Sequence, residues 1–380
     1  MNNIEDKPIV VAQIMGKWVG GGVEAVIMNY YRHIDRSKIQ FDFICDEDST
    51  NIPYEEIEQL GGRVIICPPY QKIFKYEKFL IDLFKKNKYK IVHSNINTLS
   101  VFPLRAAKKA GVPIRIAHNH ATSHKKEFKR NVIKMCLKPF SKLYATVYMC
   151  CSEKAGRWMF GNKDFDNNKV VLIKNAINID SFIFNNKIRD EYKEKLGIKE
   201  NELVIGHIGR LVSTKNHSFL LKVFAEINKE RDSVLLIIGQ GPLEKEIRNQ
   251  VDEFGLKQRV IFLGQKKDIN NYYQIIDAFI LPSLYEGFGM TLLEAQASNL
   301  PCVASTEVPK EVKLINDFEF IPLDSDIKKW SKTVLKLLKK NERKSNKELL
   351  VNKGYDIIKE AKKLTDYYIS LIEEESNANN

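Results

Sequence analysis

Short apolar runs alternate with amphipathic segments along most of the chain. In the first half, apolar runs at residues 9–14, 41–45 and 114–118 are separated by segments whose apolar residues have helical spacing. This alternation is typical of βαβ units, in which helices cover both faces of a parallel sheet. It stops near residue 180 and resumes at residues 203–208. The pattern therefore predicts an α/β fold with two doubly wound, Rossmann-like domains in series.

The two domains are predicted to meet in a polar stretch. Residues 180–199 are rich in charge and lack a strand pattern, so they are interpreted as the linker. A chain of 380 residues also exceeds the size at which one hydrophobic core usually stops growing. We expect a first domain at 1–180 and a second at 181–354, with a C-terminal helix at about 355–375 packing back on the first domain. In each such domain, ligands bind where the winding of the sheet reverses. Two domains facing each other would therefore place a central binding cleft between them.

Two acids flank a predicted strand–turn–helix junction in the second half. A strand ends near Pro282, a glycine-containing turn carries Glu286, and Glu294 lies in the helix that opens near Met290. Backbone N–H groups at a helix N-terminus attract phosphate. The spacing thus indicates an anion-binding turn with one carboxylate beside it and the other two turns away. A Glu-x7-Glu pair alone also occurs by chance in solvated helices.

Two cations follow an earlier strand of the same domain. Arg210 and Lys215 lie in the sequence GHIGRLVSTKNH, directly after the predicted strand at 203–208. A guanidinium and an ammonium at that edge could neutralise a diphosphate without a metal ion. As isolated residues they would be read as surface ion-pair partners, and their joint position favours the ligand-binding interpretation.

A triple glycine follows the first strand of the chain. Gly20, Gly21 and Gly22 stand where doubly wound domains carry their phosphate-binding loops, which favours ligand contact over a simple flexible turn. The helix after it is predicted to begin at Glu24. The GxG at residues 239–241 is a weak dinucleotide fingerprint, because Pro242 replaces its tail.

Together these motifs resemble those of the retaining GT-B glycosyltransferases of family 4. The shared elements are Gly-Arg-x4-Lys-Asn, strand-GxGP, and Glu-x7-Glu followed by EAxA, with looser matches at GGVE (21–24), HNH (118–120) and NAIN (175–178). The resemblance covers essentially the whole chain and is strongest to bacterial capsular and exopolysaccharide transferases. It departs from the family at Asn299, where glycine is common, and before Glu311, where a glycine pair is common.

The resemblance implies a role for each matching residue. Arg210 and Lys215 would hold the donor diphosphate, Glu294 the ribose hydroxyls, and Glu286 the transferred sugar. The loop of Gly21 and Gly22 would close over the diphosphate. Either His118 or His120 would meet the sugar and the acceptor. Backbone amides would complete the donor site at Gly287, Phe288, Gly289 and Met290.

The resemblance also implies the reaction. A hexose or N-acetylhexosamine would pass from a nucleotide-diphosphate sugar, expected to be a UDP-sugar, to a lipid-linked or carbohydrate acceptor, with retention of configuration. No cofactor and no metal would be required. A sugar-nucleotide epimerase or a phosphorylase on the same architecture is the alternative among enzymes.

Charge and cysteine content limit which other classes of function the sequence allows. The net charge of +12 attracts anions, which leaves a basic nucleic-acid-binding protein as a second alternative, although no zinc-finger spacing or RNA-binding aromatic signature accompanies it. The six cysteines lack metal-ligand spacing. His118, His120 and His124 as a zinc site, and Asp324–Asp326 as a metal-binding D-x-D, are set aside in favour of strand residues and a helix-capping turn.

The expected location is the cytoplasm. No apolar run approaches the ~20 residues that span a bilayer, and the N-terminus carries acids where a signal peptide carries bases. A basic cluster could place the protein at the inner face of the plasma membrane through anionic lipid headgroups. This hypothesis rests on Lys125, Lys126, Lys129 and Arg130.

Overall fold

The computed structural model describes residues 7–120, 128–339 and 343–378. The chain forms two compact units, the first from residues 1–176 and 356–380 and the second from residues 177–355. The boundary predicted after residue 180 falls within the 3-10 turn Ile179–Phe182, which is part of the second unit.

The first unit contains a seven-stranded sheet in which every neighbouring pair is parallel. Its spatial order is β3-β2-β1-β4-β5-β6-β7, so the winding direction reverses between β1 and β4. The strands are β1 (Ile9–Gly16), β2 (Ile39–Asp46), β3 (Arg63–Cys67), β4 (Ile91–Ser94), β5 (Ile114–Asn119), β6 (Val147–Cys150) and β7 (Val170–Leu172).

Helices connect these strands, as parallel pairing requires. They are α1 (Gly22–His33), α2 (Tyr54–Gln59), α3 (Ile73–Asn87), α4 (Val101–Lys109), α5 (Phe128–Leu137), α6 (Glu153–Phe160) and α7 (Asn162–Asp166). Apolar side chains such as Leu80, Phe84 and Leu104 pack in one buried cluster with Val92 of the sheet.

The second unit contains a six-stranded parallel sheet in the order β10-β9-β8-β11-β12-β13. Here the winding reverses between β8 and β11. The strands are β8 (Leu203–Ile208), β9 (Ser233–Ile238), β10 (Val260–Gly264), β11 (Ala278–Leu281), β12 (Cys302–Ser305) and β13 (Phe318–Ile321).

Both faces of this sheet are buried. Val204 of β8 belongs to one apolar cluster and its neighbour Ile205 to another, because successive strand residues point to opposite faces. The covering helices are α8 (Asn186–Lys195), α9 (His217–Glu230), α10 (Glu244–Glu253), α11 (Ile269–Ile275), α12 (Met290–Ala297), α13 (Ile327–Leu338) and α14 (Lys347–Asn352). The last helix, α15 (Ile357–Ala378), belongs to the first unit.

The predicted α/β class, with two doubly wound parallel sheets, is confirmed, but the predicted linker is wrong. Most of residues 180–199 fold as part of the second unit. Arg189 of α8 forms an ion pair with Asp277 at 2.8 Å, and the Tyr192 hydroxyl donates to Asp268 at 2.5 Å. The stretch looked like a linker because α8 is polar along most of its length.

Two smaller features complete the comparison with the sequence. Asn299 adopts a positive φ of 53° just after α12, which is the left-handed conformation that asparagine tolerates in place of the family's glycine. Within the described ranges, no helix combines the length and the apolarity needed to cross a bilayer.

Candidate active site

The carboxyl edge of the second sheet brings the predicted cations and acids together. The strand β8 leads into Arg210 and a 3-10 turn, Ser213–Lys215, and its neighbour β11 leads into Glu286 and α12. These two strands flank the reversal point of the sheet. In open α/β sheets, this is the position at which ligands bind.

An ion pair joins the two loops. Lys215 Nζ lies 2.6 Å from Glu286 Oε1, and the two side chains are 17% and 12% exposed. The Ser283 hydroxyl donates to the same carboxylate oxygen at 2.6 Å. The Leu284 N–H donates to the Thr214 carbonyl at 2.7 Å, which joins the loops through their backbones as well. Lys215 and Glu286 are therefore held in fixed positions, and sequence reasoning had not anticipated that they pair.

Arg210 differs from Lys215 in having an exposed side chain. Its guanidinium has no ion-pair or hydrogen-bond partner among the described residues. Among the described residues, the exposed guanidinium of Arg210 is therefore a cation of this edge with no carboxylate partner. Such a group can engage two oxygens of an anion at once.

The GxGP segment supports the Arg210 loop from behind. A Cβ at Gly239, whose φ is 138°, would lie 2.1 Å from the Gly209 carbonyl oxygen. A Cβ at Gly241 would lie 2.4 Å from the Leu211 carbonyl oxygen. The Leu211 N–H donates to the Gln240 carbonyl at 3.0 Å. The two glycines therefore allow direct backbone packing between the loops.

In the sequence, the N-terminus of α12 at Met290 lies between Glu286 and Glu294. Gly289 precedes the helix with a φ of 97°, a conformation that favours glycine. Phe288 is buried, and its ring stacks on Tyr355 with the centroids 5.7 Å apart. Among the predicted donor-site residues Gly287 to Met290, Phe288 thus anchors the turn in the core, while Gly287 is exposed.

The carboxyl group of Glu294 contacts a tyrosine rather than the lysine that pairs with Glu286. Its Oε2 lies 2.7 Å from the Tyr273 hydroxyl. Burial raises the pKa of Glu294 to about 7, and the Tyr273 hydrogen bond and the charge of Lys215 oppose that rise. The carboxyl group of Glu294 therefore binds a proton at a higher pH than an ordinary glutamate does. A ligand that donates hydrogen bonds to it would favour the ionised form.

The glycine loop of the first unit follows β1 at the reversal point of its sheet. The helix α1 begins at Gly22, two residues earlier than predicted, with Gly21 as its N-cap. Glu24 fixes the loop, because its Oε1 accepts a hydrogen bond from the Val19 N–H at 3.1 Å. A Cβ at Gly21 would lie 2.9 Å from Glu24 Oε2, whereas Gly22 has open space around it.

The two candidate histidines stand side by side at the end of β5. Their ring centroids are 3.9 Å apart, and both side chains are buried. His120 Nε2 lies 3.1 Å from Asn95 Oδ1, and its backbone N–H donates to Asn97 Oδ1 at 2.7 Å. His118 Nδ1 lies 3.0 Å from Nε2 of His93. Burial lowers the pKa of His120 to about 3 and that of His118 well below its ordinary value, so both rings are neutral.

Several residues around these candidates were not found from the sequence. They are Ser283 and Tyr273 in the second unit, and Gln13, His93, Asn95 and Tyr368 in the first. His93 and Asn95 could have been recognised, because the segment IVHSN ends a strand in polar residues just as IAHNH does. Tyr368 could not, since it arrives from a helix more than 200 residues away in sequence.

The metal-binding alternatives receive no support from the described residues. Asp326 caps α13, its Oδ1 accepting a hydrogen bond from the Lys328 N–H at 2.9 Å, so the predicted capping role of the D-x-D turn is confirmed. In the ranges 7–120, 128–339 and 343–378, no group of three histidine, cysteine or acidic side chains could hold a metal ion. His124 lies outside these ranges, as do Lys125 and Lys126 of the basic cluster.

Comparison with known proteins agrees with the resemblance in the motifs. Residues 20–181 match the family described as Glycosyltransferase Family 4, and residues 188–355 match Glycosyl transferases group 1. The chain is 33% identical to EpsF of Bacillus subtilis, which is named as a glycosyltransferase, over 99% of this chain and 100% of EpsF.

Two further proteins show the breadth of the similarity. The chain is 29% identical to the UDP-Gal:alpha-D-GlcNAc-diphosphoundecaprenol alpha-1,3-galactosyltransferase of Escherichia coli, over 92% of this chain and 94% of that enzyme. The crystal structure of Anabaena HepE in complex with UDP has the same fold, with a TM-score of 0.77, 17% identity and coverage of 96% and 100% of the two chains. The chain therefore belongs to glycosyltransferase family 4 and is a GT-B glycosyltransferase of polysaccharide or glycoconjugate biosynthesis.

Proposed function

We propose that this protein transfers a hexose or N-acetylhexosamine from a UDP-sugar to a lipid-linked or carbohydrate acceptor, with retention of configuration. The observation that carries the proposal is the exposed Arg210 in the loop that also carries Lys215. The ion pair of Lys215 with Glu286 lies at the reversal point of the second sheet, in the turn before α12. The UDP in the HepE structure and the substrates named for the E. coli relative support this choice of donor and acceptor.

The chemistry follows from where charge develops. Cleavage of the bond between the sugar and the diphosphate leaves about one additional negative charge on the phosphate oxygens. Fixed cations aimed at that position stabilise the transition state more than the ground state. Arg210 and Lys215 take this role, in place of a metal ion. Glu286, held by Lys215 and Ser283, faces the positive charge that develops on the sugar.

The other predicted site residues bind the rest of the donor. Glu294 accepts hydrogen bonds from the ribose hydroxyls, and the backbone at Gly287 and Gly289 contributes N–H groups near the phosphates. In the first unit, the loop of Gly21 and Gly22 covers the diphosphate, while His118 or His120 contacts the sugar. Glycine suits the loop because Gly22 leaves room for a close approach by a ligand.

A lipid-linked acceptor is supported by exposed apolar side chains on the first unit. Four apolar side chains on α5 and the turns after it are between 46% and 67% exposed: Val132, Met135, Phe140 and Leu143. Basic residues share this segment, including Lys134 and Lys138. Exposed apolar groups beside cations suit the interface of an anionic membrane.

Membrane contact is tested by co-sedimentation with vesicles of phosphatidylcholine alone and with added phosphatidylglycerol. We expect binding only to the anionic vesicles, and loss of it in a Met135→Ser/Leu143→Ser double variant. Phe254→Ser, which removes an exposed aromatic from the second unit, is the control and should bind normally. Binding that ignores vesicle charge would refute this part of the proposal.

Transfer itself is tested with a panel of UDP-sugars, each incubated with and without polyprenyl-diphosphate-linked saccharides. We expect acceptor-dependent release of UDP that persists in EDTA, and a product whose anomeric configuration matches that of the donor. Conversion of the nucleotide sugar without any acceptor would indicate an epimerase instead. An inverted product would contradict the retaining mechanism.

A further inference from the structure

A closed group of six buried side chains lies beneath the histidine end of the first sheet. His120 Nε2 is 3.1 Å from Asn95 Oδ1, and the Asn95 amide donates to Gln13 Oε1 at 2.9 Å. Gln13 Nε2 donates to the Tyr368 hydroxyl at 3.2 Å. The same hydroxyl is 2.6 Å from His93 Nδ1. His93 Nε2 is in turn 3.0 Å from His118 Nδ1, and the His118 ring packs against that of His120.

The hydrogen bonds that involve the histidines in this group can each run in either of two directions. Each imidazole is neutral, because burial lowers the pKa of His93 and of His120 to about 3 and that of His118 below its ordinary range. A neutral imidazole donates through one nitrogen and accepts through the other. Reversing the hydrogen bond between Tyr368 and His93 would therefore also reverse the one between His93 and His118.

The contact with Met15 fixes the orientation of the Asn95 amide. Its sulfur, which can only accept a hydrogen bond, lies 3.7 Å from Asn95 Nδ2. The amide nitrogen of Asn95 is thus on the side of Gln13, and its oxygen faces His120. His120 then donates through Nε2. Because Gln13 Nε2 already donates to the Tyr368 oxygen, the hydroxyl proton of Tyr368 finds an acceptor, among the contacts of the described residues, when it points to His93 Nδ1. His93 donates through Nε2 to His118, which leaves the proton of His118 on its own Nε2.

That last proton has no acceptor. His118 Nε2 is buried and has no hydrogen-bond partner among the described residues. An unpaired buried N–H is destabilising, so such groups are rare unless a ligand or a change of conformation satisfies them. The series of hydrogen bonds thus ends at the Nε2–H of His118, and Tyr368 of the C-terminal helix determines that the proton lies there.

We propose that Tyr368 is a positioning residue for transfer: it fixes His93 and His118 as Nε2–H tautomers, so that His118 presents its Nε2–H to an oxygen of the bound sugar. The proposal rests on the proposed function for the nature of the ligand. It assigns the C-terminal helix α15 a task beyond packing, because its tyrosine sets, through His93, the tautomer of the candidate active-site residue His118.

The tautomers are measured directly by two-bond 15N–1H correlation spectra of protein labelled with 15N-histidine at pH 7.5. We expect the three buried histidines of the first unit to show the Nε2–H pattern. The Nδ1–H pattern at His93 or His118 would overturn the proposal. This measurement needs neither a variant nor activity, so it stands even if the enzyme proves to use another donor.

Tyr368→Phe removes only the hydroxyl. We expect the Nδ1–H form to appear at His93 and His118, and kcat to fall roughly 5- to 30-fold with KM for the donor little changed, as for loss of one or two hydrogen bonds. Tyr367→Phe, on the adjacent position of the same helix, should alter neither. Unchanged tautomers in Tyr368→Phe would overturn the role of Tyr368. Absence of transfer in the wild type would instead contradict the proposed function.

Discussion

The most informative single residue is Glu294, because its ordinary chemistry is altered by its surroundings. Burial raises the pKa of its carboxyl from 4.5 to about 7. On the proposed role of Glu294 as the acceptor for the ribose hydroxyls, its ionised form is expected to bind the donor more tightly than its protonated form. Donor binding would then compete with protonation near neutral pH.

This competition predicts a pH-dependent affinity. Between pH 8 and pH 6, the ionised fraction of a group with a pKa of about 7 falls about tenfold, so Kd for UDP should rise by about the same factor. Titration calorimetry at the two pH values measures it. Glu294→Gln, which cannot ionise, should lose this dependence and retain only that of the phosphate itself. An equal pH dependence in both proteins would contradict the role of Glu294.

The same residue predicts a change in stability. The folded state binds the proton of Glu294 more tightly than the unfolded state does, because the pKa is raised on folding. This stabilises the folded protein below pH 4.5, and the contribution is lost as the pH rises through about 7. Glu294→Gln should therefore raise the free energy of unfolding at pH 8, by at most about 3 kcal/mol, and change it little at pH 4. Urea unfolding at both pH values tests this. A variant that is less stable at pH 8 would show that the carboxylate is better accommodated than its burial indicates.

At the scale of elements, the loop after β8 depends on the loop after β9. Their backbones touch at Gly239, where a Cβ would lie 2.1 Å from the Gly209 carbonyl oxygen. That oxygen belongs to the residue directly before Arg210. The position of the arginine is thus set by a glycine in a different βα connection.

Gly239→Ala should therefore weaken donor binding without touching a donor-binding side chain. The methyl group must displace the backbone at Gly209, so we expect Kd for UDP to rise and the thermal midpoint to fall. Gly255→Ala is the control, because it also has a positive φ but its Cβ would meet nothing within 4 Å. Equal losses of UDP affinity in both variants would show that only backbone strain matters.

Most elements that position the site could be predicted from the sequence. Strands such as β8 and β11 are continuous apolar runs, and their carboxyl ends carry the polar motifs, so the meeting of Arg210, Lys215 and Glu286 at one edge followed from topology. The helix α8 was missed because it has few apolar residues, and its packing depends on polar contacts such as Arg189 with Asp277. The Tyr368–His93 contact was beyond prediction, because nothing local in either segment specifies a partner so distant in sequence.

At the scale of the whole molecule, buried neutral histidines are the common feature of the two units. The first unit contains His93, His118 and His120, and the second contains His207 and His217. Burial lowers the pKa of each, to about 3 for His93 and to about 4 for His217. Since an unfolded chain takes up these protons near pH 6.5, acid favours unfolding.

Stability should therefore be highest above pH 6.5 and fall as the pH drops towards 4. Glu294 and Asp46, whose pKa burial raises to about 6, oppose but do not cancel the effect of the five histidines. Differential scanning calorimetry at pH 7.5 and pH 5 should show a lower thermal midpoint at pH 5. The His93→Gln variant, which removes one titrating group, should show a smaller difference. A midpoint that rises on acidification would contradict this account.

The two cations at the edge of the second sheet provide the most direct test of how the enzyme works. Acceptor-dependent release of UDP is measured in EDTA for the wild type, Lys215→Ala and Arg210→Ala. Arg248→Ala serves as control, because Arg248 is an exposed arginine of the same unit that pairs with Glu244. We predict that turnover falls roughly 100-fold or more in the two site variants and is unchanged in Arg248→Ala. Normal turnover in Lys215→Ala or Arg210→Ala, or activity lost in EDTA and restored by Mn²⁺, would contradict the account.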